Sequence, residues 1–251
     1  GFMSLTLKKS KSIGLVSWFV VSLFVAMVST TPAVVAVNDT SSGTITGTET
    51  WTGVMNLDGD LLVAGGAKLI INAGTTINIP ANRNIQIQGS ICAGDAFCGA
   101  TQASTGSPIR FIWSEPGAAA PNQTGRCYVT GVFNPDMACG SGIYLASTID
   151  QSLTRMNHVT IDGAYGIPVD IDGQGTIKYG AMVFDGASLS VSNPSFRDVN
   201  TSNVLAFGGA SPTFDGGTFE VGVDAQGYRG PAIQAFGAGA VSYTHLTLPT
   251  R

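Results

Sequence analysis

The chain has 251 residues, of which 33 are Gly and only 11% are charged. Between Val37 and Ala240 sixteen acidic residues face eight basic ones, a net charge of −8, and the four remaining basic residues are Lys8, Lys9, Lys11 and Arg251. An acidic stretch with no basic cluster makes a poor nucleic-acid binder, and roughly 200 residues are ample for one hydrophobic core.

In chain order, the first predicted element is an export signal. Lys8, Lys9 and Lys11 are followed by an apolar run from Ile13 to Val28, then by Pro32 and the small residues Val34-Val35-Ala36. That order is the secretory pattern, and the run is shorter than the ~20 residues a membrane-spanning helix needs. We read 1–36 as a signal helix removed near Ala36. The protein is then secreted or held at the cell surface, and meets a membrane only through that segment or through a C-terminal anchor absent from the sequence. The polar, Gly- and Thr-rich stretch 37–48 reads as a flexible entry segment.

From Trp51 the pattern changes. Leu61-Leu62-Val63, Leu69-Ile70-Ile71, Thr76-Ile77-Asn78-Ile79 and Ile85-Gln86-Ile87 begin about eight residues apart, separated by Gly, Asn and Asp. Each run is too short for a helix and is rich in β-branched residues, which predicts strands. Strands this short cannot bury a face alone but can do so when stacked as the rungs of a solenoid. Further strands are expected at Ile109–Trp113 and from Tyr128 to Phe133.

A longer repeat follows. Thr160-Ile161-Asp162-Gly163 recurs as Val183-Phe184-Asp185-Gly186 and as Thr213-Phe214-Asp215-Gly216, with Asp separations of 23 (185 − 162) and 30 (215 − 185) residues. A related pair is Asn193-Pro194-Ser195-Phe196 and Ser211-Pro212-Thr213-Phe214. Two residues of strand followed by Asp-Gly mark a strand entering a turn, and a period near 23 fits one coil of a parallel β-helix with loops of varying length. A β-sandwich with several hairpins is the competing reading. On the solenoid reading 49–240 is the β-helix domain, the stretch from Val37 to Ala240 corresponds to 7 or 8 coils, Ile70, Ile77, Ile85, Ile161, Phe184, Phe196, Phe207 and Phe214 stack inside, and Asp162, Asp185 and Asp215 project at turns.

The phrase Gly66-Ala67-Lys68-Leu69-Ile70-Ile71-Asn72-Ala73-Gly74-Thr75, continued by Ile85, Ile87, Gly89, Ile91, Ala93 and Gly94, resembles the opening coils of right-handed parallel β-helix surface proteins of bacteria and archaea. The resemblance implies an all-β, right-handed parallel β-helix of the pectin-lyase-like type. It is specific for fold rather than function. At the other end, 241–251 (Val241-Ser242-Tyr243-Thr244-His245-Leu246 and onward) resembles a translated sequencing-library adapter of the kind that ends fragmentary environmental gene sequences. We therefore expect 241–251 to be an artefact and the β-helix to be truncated.

Cys92, Cys98, Cys127 and Cys139 form an even set in an exported chain, which favours two disulfides. Of three connectivities we prefer Cys92–Cys98 with Cys127–Cys139, because each would staple one irregular excursion. A zinc site is the weaker alternative, since the spacings lack C-x-x-C knuckles. Asn38, Asn122 and Asn200 begin glycosylation sequons. Asp170-Ile171-Asp172-Gly173 resembles half of a calcium loop, oxygen ligands followed by a turn glycine; Asp170 and Asp172 are the metal candidates, and no other cofactor is expected. His158, at the start of an apparent strand, has no acid–base partner assignable from sequence and reads as a rung residue. No catalytic residue is assigned. The expected role is an exported structural, adhesive or carbohydrate-contacting module whose partners are cell-surface polysaccharide or another envelope protein. The alternative is the N-terminal part of a polysaccharide lyase or glycoside hydrolase.

Overall fold

A computed structural model of the chain describes residues 43–114, 128–129, 132–133, 140–221, 230–237, 239, 241–245 and 247. The signal segment, Asn38, Asn122, Cys127 and Cys139 lie outside the described residues. The described residues form 23 strands and one 3-10 turn, Ala96–Cys98.

The strands follow one another as coils of three. The first coil is β1 (Gly43–Ile45), β2 (Thr48–Trp51) and β3 (Val54–Asn56); the second is β4 (Leu61–Val63), β5 (Lys68–Ile71) and β6 (Thr76–Ile79); the third is β7 (Asn84–Ile87), β8 (Ser90–Ala93) and β9 (Ile109–Trp113). A short antiparallel pair, β10 (Tyr128–Val129) and β11 (Val132–Phe133), precedes the fourth coil of β12 (Gly142–Leu145), β13 (Arg155–Asn157) and β14 (Val159–Asp162). β15 (Ile167–Asp170) folds back antiparallel on the start of β16 (Ile177–Asp185), which with β17 (Ser190–Ser192) and β18 (Ser195–Val199) makes the fifth coil. The sixth is β19 (Ser202–Phe207), β20 (Thr213–Asp215) and β21 (Thr218–Val221). The seventh holds β22 (Ile233–Phe236) and β23 (Ser242–Thr244), and a bridge from Thr247 to Thr218 marks its third side.

Each strand pairs in parallel with its counterpart one coil on, giving three sheets. β1, β4, β7, β12, β16, β19 and β22 form the first face; β2, β5, β8, β13, β17, β20 and β23 the second; β3, β6, β9, β14, β18 and β21 the third. Parallel neighbours cannot be joined by a tight hairpin; here the other two strands of the coil make the crossover. The result is an all-β, solenoid-like stack with rungs ~4.8 Å apart.

The core is three in-register columns. Met55, Ile77, Phe111, Ile161, Phe196 and Phe219 line the third face from within. Ile45, Val63, Ile87, Leu145, Phe184 and Ala206 line the first. Trp51, Ile71, Ala93, Met156, Val191 and Phe214 line the second. All are buried. Toward the later coils the columns meet in an aromatic cluster: Phe214 stands edge-on to Phe184 at 5.8 Å and to Phe219 at 5.7 Å, and Phe219 stacks at a tilt on Phe196 at 5.0 Å.

Several expectations change in detail. Ile70 and Phe207 are not interior. Leu69 and Ile71 point inward, so period-2 alternation turns Ile70 outward, where Cys92, Cys98 and Ala100 cover it. Phe207 joins an outer cluster on the first face with Tyr144, Val183 and Leu205, to which the β15–β16 hairpin adds Ile167 and Val169. The expected single strand from Tyr128 to Phe133 is instead the β10 and β11 pair. Gly43–Ile45, within the stretch read as an entry segment, pairs with β4. Ser242–Thr244, within the segment read as adapter-derived, pairs with β20.

The Asp-Gly phrases are strand ends, as expected, but not successive turns of one coil position. Asp162 closes β14 on the third face, Asp185 closes β16 on the first and Asp215 closes β20 on the second. Their spacing of 23 and 30 is therefore not the coil period. That period appears in register partners such as Ser195 and Thr218, 23 residues apart (218 − 195). Each Asp is held locally. Asp162 pairs with Arg197 at 3.9 Å, Asp185 accepts from the Tyr144 hydroxyl at 2.6 Å and Asp215 accepts from the Thr244 hydroxyl at 2.6 Å.

Candidate ligand groove

The corner between the second and third faces carries a concavity. Backbone geometry builds it. His158 and Asn193 both have φ of 49° and Gly216 has φ of 71°, so each coil turns this corner through a left-handed residue. The N–H groups of His158, Asn193 and Gly216 donate to the carbonyls of Ser192, Asp215 and Thr244, one coil further along. This corner ladder satisfies backbone groups that a buried turn would otherwise leave unpaired. Gly217, with φ of 106°, packs so closely on the preceding coil that a Cβ there would stand 2.5 Å from the Pro194 carbonyl oxygen.

Beside this corner lies a groove of about 370 Å³ lined by Thr105, Pro108, His158, Thr160, Asn193, Pro194, Ser195, Gly217, Thr218 and Thr247. Thr160, Ser195 and Thr218 are direct register partners on the third face, and Thr218 bridges to Thr247. One hydroxyl therefore recurs per coil at the rung spacing from the fourth coil onward, with Arg110 at the same position of the third. Thr105 and Pro108 come from the excursion that returns to β9. Among the described residues the groove lining offers hydroxyls, an amide and an imidazole and contains no carboxylate.

His158 is a corner residue rather than the rung residue expected, and it has a partner that sequence did not assign. Its Nδ1 lies 2.9 Å from Oδ1 of the buried Asn157, whose Nδ2 donates to the Gly94 carbonyl at 3.3 Å. With Nδ2 engaged, Asn157 presents Oδ1 as an acceptor. His158 Nδ1 is then the donor of that contact.

Asp170 and Asp172 sit in the turn between β15 and β16. Both carboxylate oxygens of Asp170 take the Gly175 N–H, at 3.1 and 3.0 Å, and Asp172 Oδ1 takes the N–H groups of Gln174 and Thr176 at 2.8 and 3.3 Å. The two residues thus act as acceptors for their own turn. Among the described residues no group of three or more His, Cys, Asp or Glu gathers at a metal-binding distance. The Thr176 hydroxyl first, then the Gln174 N–H, hold the Asp172 pKa down at about 2, against an ordinary 3.8. A carboxylate whose folded pKa is depressed stabilises the fold above its unfolded pKa, and that contribution is lost as pH falls through the folded value. The turn at 171–176 is therefore expected to loosen between pH 4 and pH 2, read as rising amide exchange at Gln174 and Thr176. In Asp172→Asn the same amides should show no such step.

The Cys92–Cys98 disulfide is formed, with Cα atoms 5.7 Å apart. It closes the first excursion against the outside of the second face, as preferred on sequence grounds. At Asn200 the residue is half-buried, and the sequon hydroxyl residue, Ser202, is 1% exposed and accepts from Gln234 Nε2 at 2.5 Å.

Sequence reasoning missed Thr160, Asn193, Ser195 and Thr218 as a set. The sequence signal for the set is the Asn193-Pro194-Ser195-Phe196 phrase, which by itself marks only a repeat. Comparison with protein-family models, with curated proteins and with solved structures finds no match for this chain.

Proposed function

We propose that this chain is an exported, cell-surface right-handed parallel β-helix of the pectin-lyase-like type, with a non-enzymatic, carbohydrate-contacting role exercised at the groove beside the corner between the second and third faces. The observation that supports this reading is the column of Thr160, Ser195 and Thr218 hydroxyls, one per coil, flanked by Asn193 and His158. Neutral donors and acceptors repeated along an axis suit a polymer with many hydroxyls, and a rigid backbone ladder keeps them in place without ordering cost on binding. The three central hydroxyls belong to the fourth, fifth and sixth coils, so the reading does not depend on 241–251. This reading calls on no cofactor. A rise in Tm on calcium addition that Asp170→Asn abolishes would reverse that point.

The test is affinity electrophoresis of the folded chain through gels containing individual cell-surface polysaccharides. At least one should retard it, and Ser195→Leu with Thr218→Leu should weaken that retardation about tenfold or more while leaving far-UV circular dichroism unchanged. Retardation that the double variant leaves intact would remove the groove from the account. Release of new reducing ends or unsaturated products by the wild-type chain would favour the lyase or hydrolase reading.

A further inference from the structure

We propose that Phe97 and Arg155 form a docking point for a protein partner that presents an apolar socket beside a carboxylate. The two residues share no position with the groove and stand independently of its reading.

Phe97 lies in the 3-10 turn Ala96–Cys98 and is 79% exposed. The turn around it is tied down. The Cys92–Cys98 disulfide closes it, Asp95 Oδ1 takes the Phe97 N–H at 2.8 Å, and Lys68 Nζ donates to the Cys98 carbonyl at 2.7 Å. Gly99, at φ of 102°, ends the turn with its N–H donating to the Ala96 carbonyl. The following residues are fixed as well: Thr101 N–H donates to Asn72 Oδ1 and Ala73 N–H donates to Thr101 Oγ1, both at 2.8 Å. A loop held this firmly keeps its aromatic ring in water rather than in the core. An exposed ring on a rigid loop gains little for folding but loses little entropy when a partner covers it.

Arg155 supplies the second half. Its Cζ is 5.4 Å from the Phe97 ring centroid, within cation–π range. Its Nη1 donates to the carbonyls of Gln151 and Thr154, which fixes the guanidinium over the ring. Among the described residues it makes no ion pair. The nearby carboxylates are turned to their own loops: Asp95 to the Phe97 N–H, and Asp150 to the hydroxyl and N–H of Ser152 and the N–H of Leu153. A guanidinium left without a counter-charge in an acidic chain calls for a carboxylate from outside. Aromatic residues and Arg are the types enriched at the energetic centres of protein interfaces. Phe97 protrudes, whereas small sugars are held in concave sites, which favours a protein over a glycan.

The experiment uses the folded, disulfide-intact chain as bait for random peptides displayed on phage. Enriched peptides are expected to carry Asp or Glu next to an apolar residue. Their affinity should fall about tenfold or more in Phe97→Ser. It should fall similarly in Arg155→Glu, and versions with Lys in place of the acid should restore binding to Arg155→Glu. Unchanged circular dichroism and Tm in both variants separate a lost contact from a lost fold. Failure to enrich any peptide, or enriched peptides that bind Phe97→Ser as tightly as the parent chain, would overturn the proposal. So would a glycan-array signal that Phe97→Ser removes, which would assign the point to sugar.

Discussion

Replacing Phe214 by alanine is expected to destabilise the protein by about 3–5 kcal/mol. Phe214 is fully buried and is the ring that joins three faces: it meets Phe184 of the first face and Phe219 of the third edge-on, while standing in the second-face column above Val191. Removing it deletes transfer energy, leaves a cavity between backbones that are pinned by ladder hydrogen bonds, and breaks two aromatic contacts worth about 0.5–1.5 kcal/mol each. A rigid rung cannot collapse into the space, which places the cost toward the upper end of the range. At about 2–4 °C per kcal/mol for a chain of this size, Tm should drop by roughly 6–20 °C. Ile70→Ala is the matched control. Ile70 lies on the outer side of β5, outside the interior column, and is only partly buried, so its loss should be clearly smaller. Equal losses at the two positions would mean that the inward and outward columns have been assigned wrongly.

Replacing Gln86 by leucine is expected to stabilise the protein by about 1–3 kcal/mol, the desolvation cost of an amide left unpaired. Gln86 is fully buried, and among the described residues neither its Oε1 nor its Nε2 has a hydrogen-bond partner. It stands on the outer side of the first face between Leu62 and Tyr144 in register, so a leucine would continue a column that is already apolar on one side. Thermal unfolding of Gln86→Leu against the parent decides it. A lower Tm would show that the amide is satisfied in solution by bound water, and that the outer surface of this face is wetter than its burial implies.

The strands were legible because their signal is local. β-Branched runs such as Thr76-Ile77-Asn78-Ile79 and Ile109–Trp113 prefer extended backbone wherever they are placed, and the Gly residues between them permit the turns. Alternation located Ile77, Ile85, Ile161, Phe184, Phe196 and Phe214 in the interior. It failed at Leu69-Ile70-Ile71, where three consecutive apolar side chains hide which parity faces inward. It failed again at Phe207, because a second apolar cluster on the outer side makes both parities hydrophobic. The spacing of Cys92 and Cys98 sufficed to favour their pairing, since a short excursion brings the two thiols together whatever the rest of the chain does.

By itself, then, the sequence determined most of the strands and their turns and favoured the first disulfide, because propensity, glycine freedom and short loops act over a few residues. Only the tertiary structure decided which strands share a face. An Asp-Gly strand end looks the same on any of the three, so Asp162, Asp185 and Asp215 resembled one repeated position when they close strands on three different sheets. The groove belongs to the same level. His158, Asn193 and Gly217 lie in different coils, and Thr160, Ser195 and Thr218 become a column only when register brings them side by side. Register is set by the whole stack, through how many residues each excursion adds between rungs, and no local pattern carries that number.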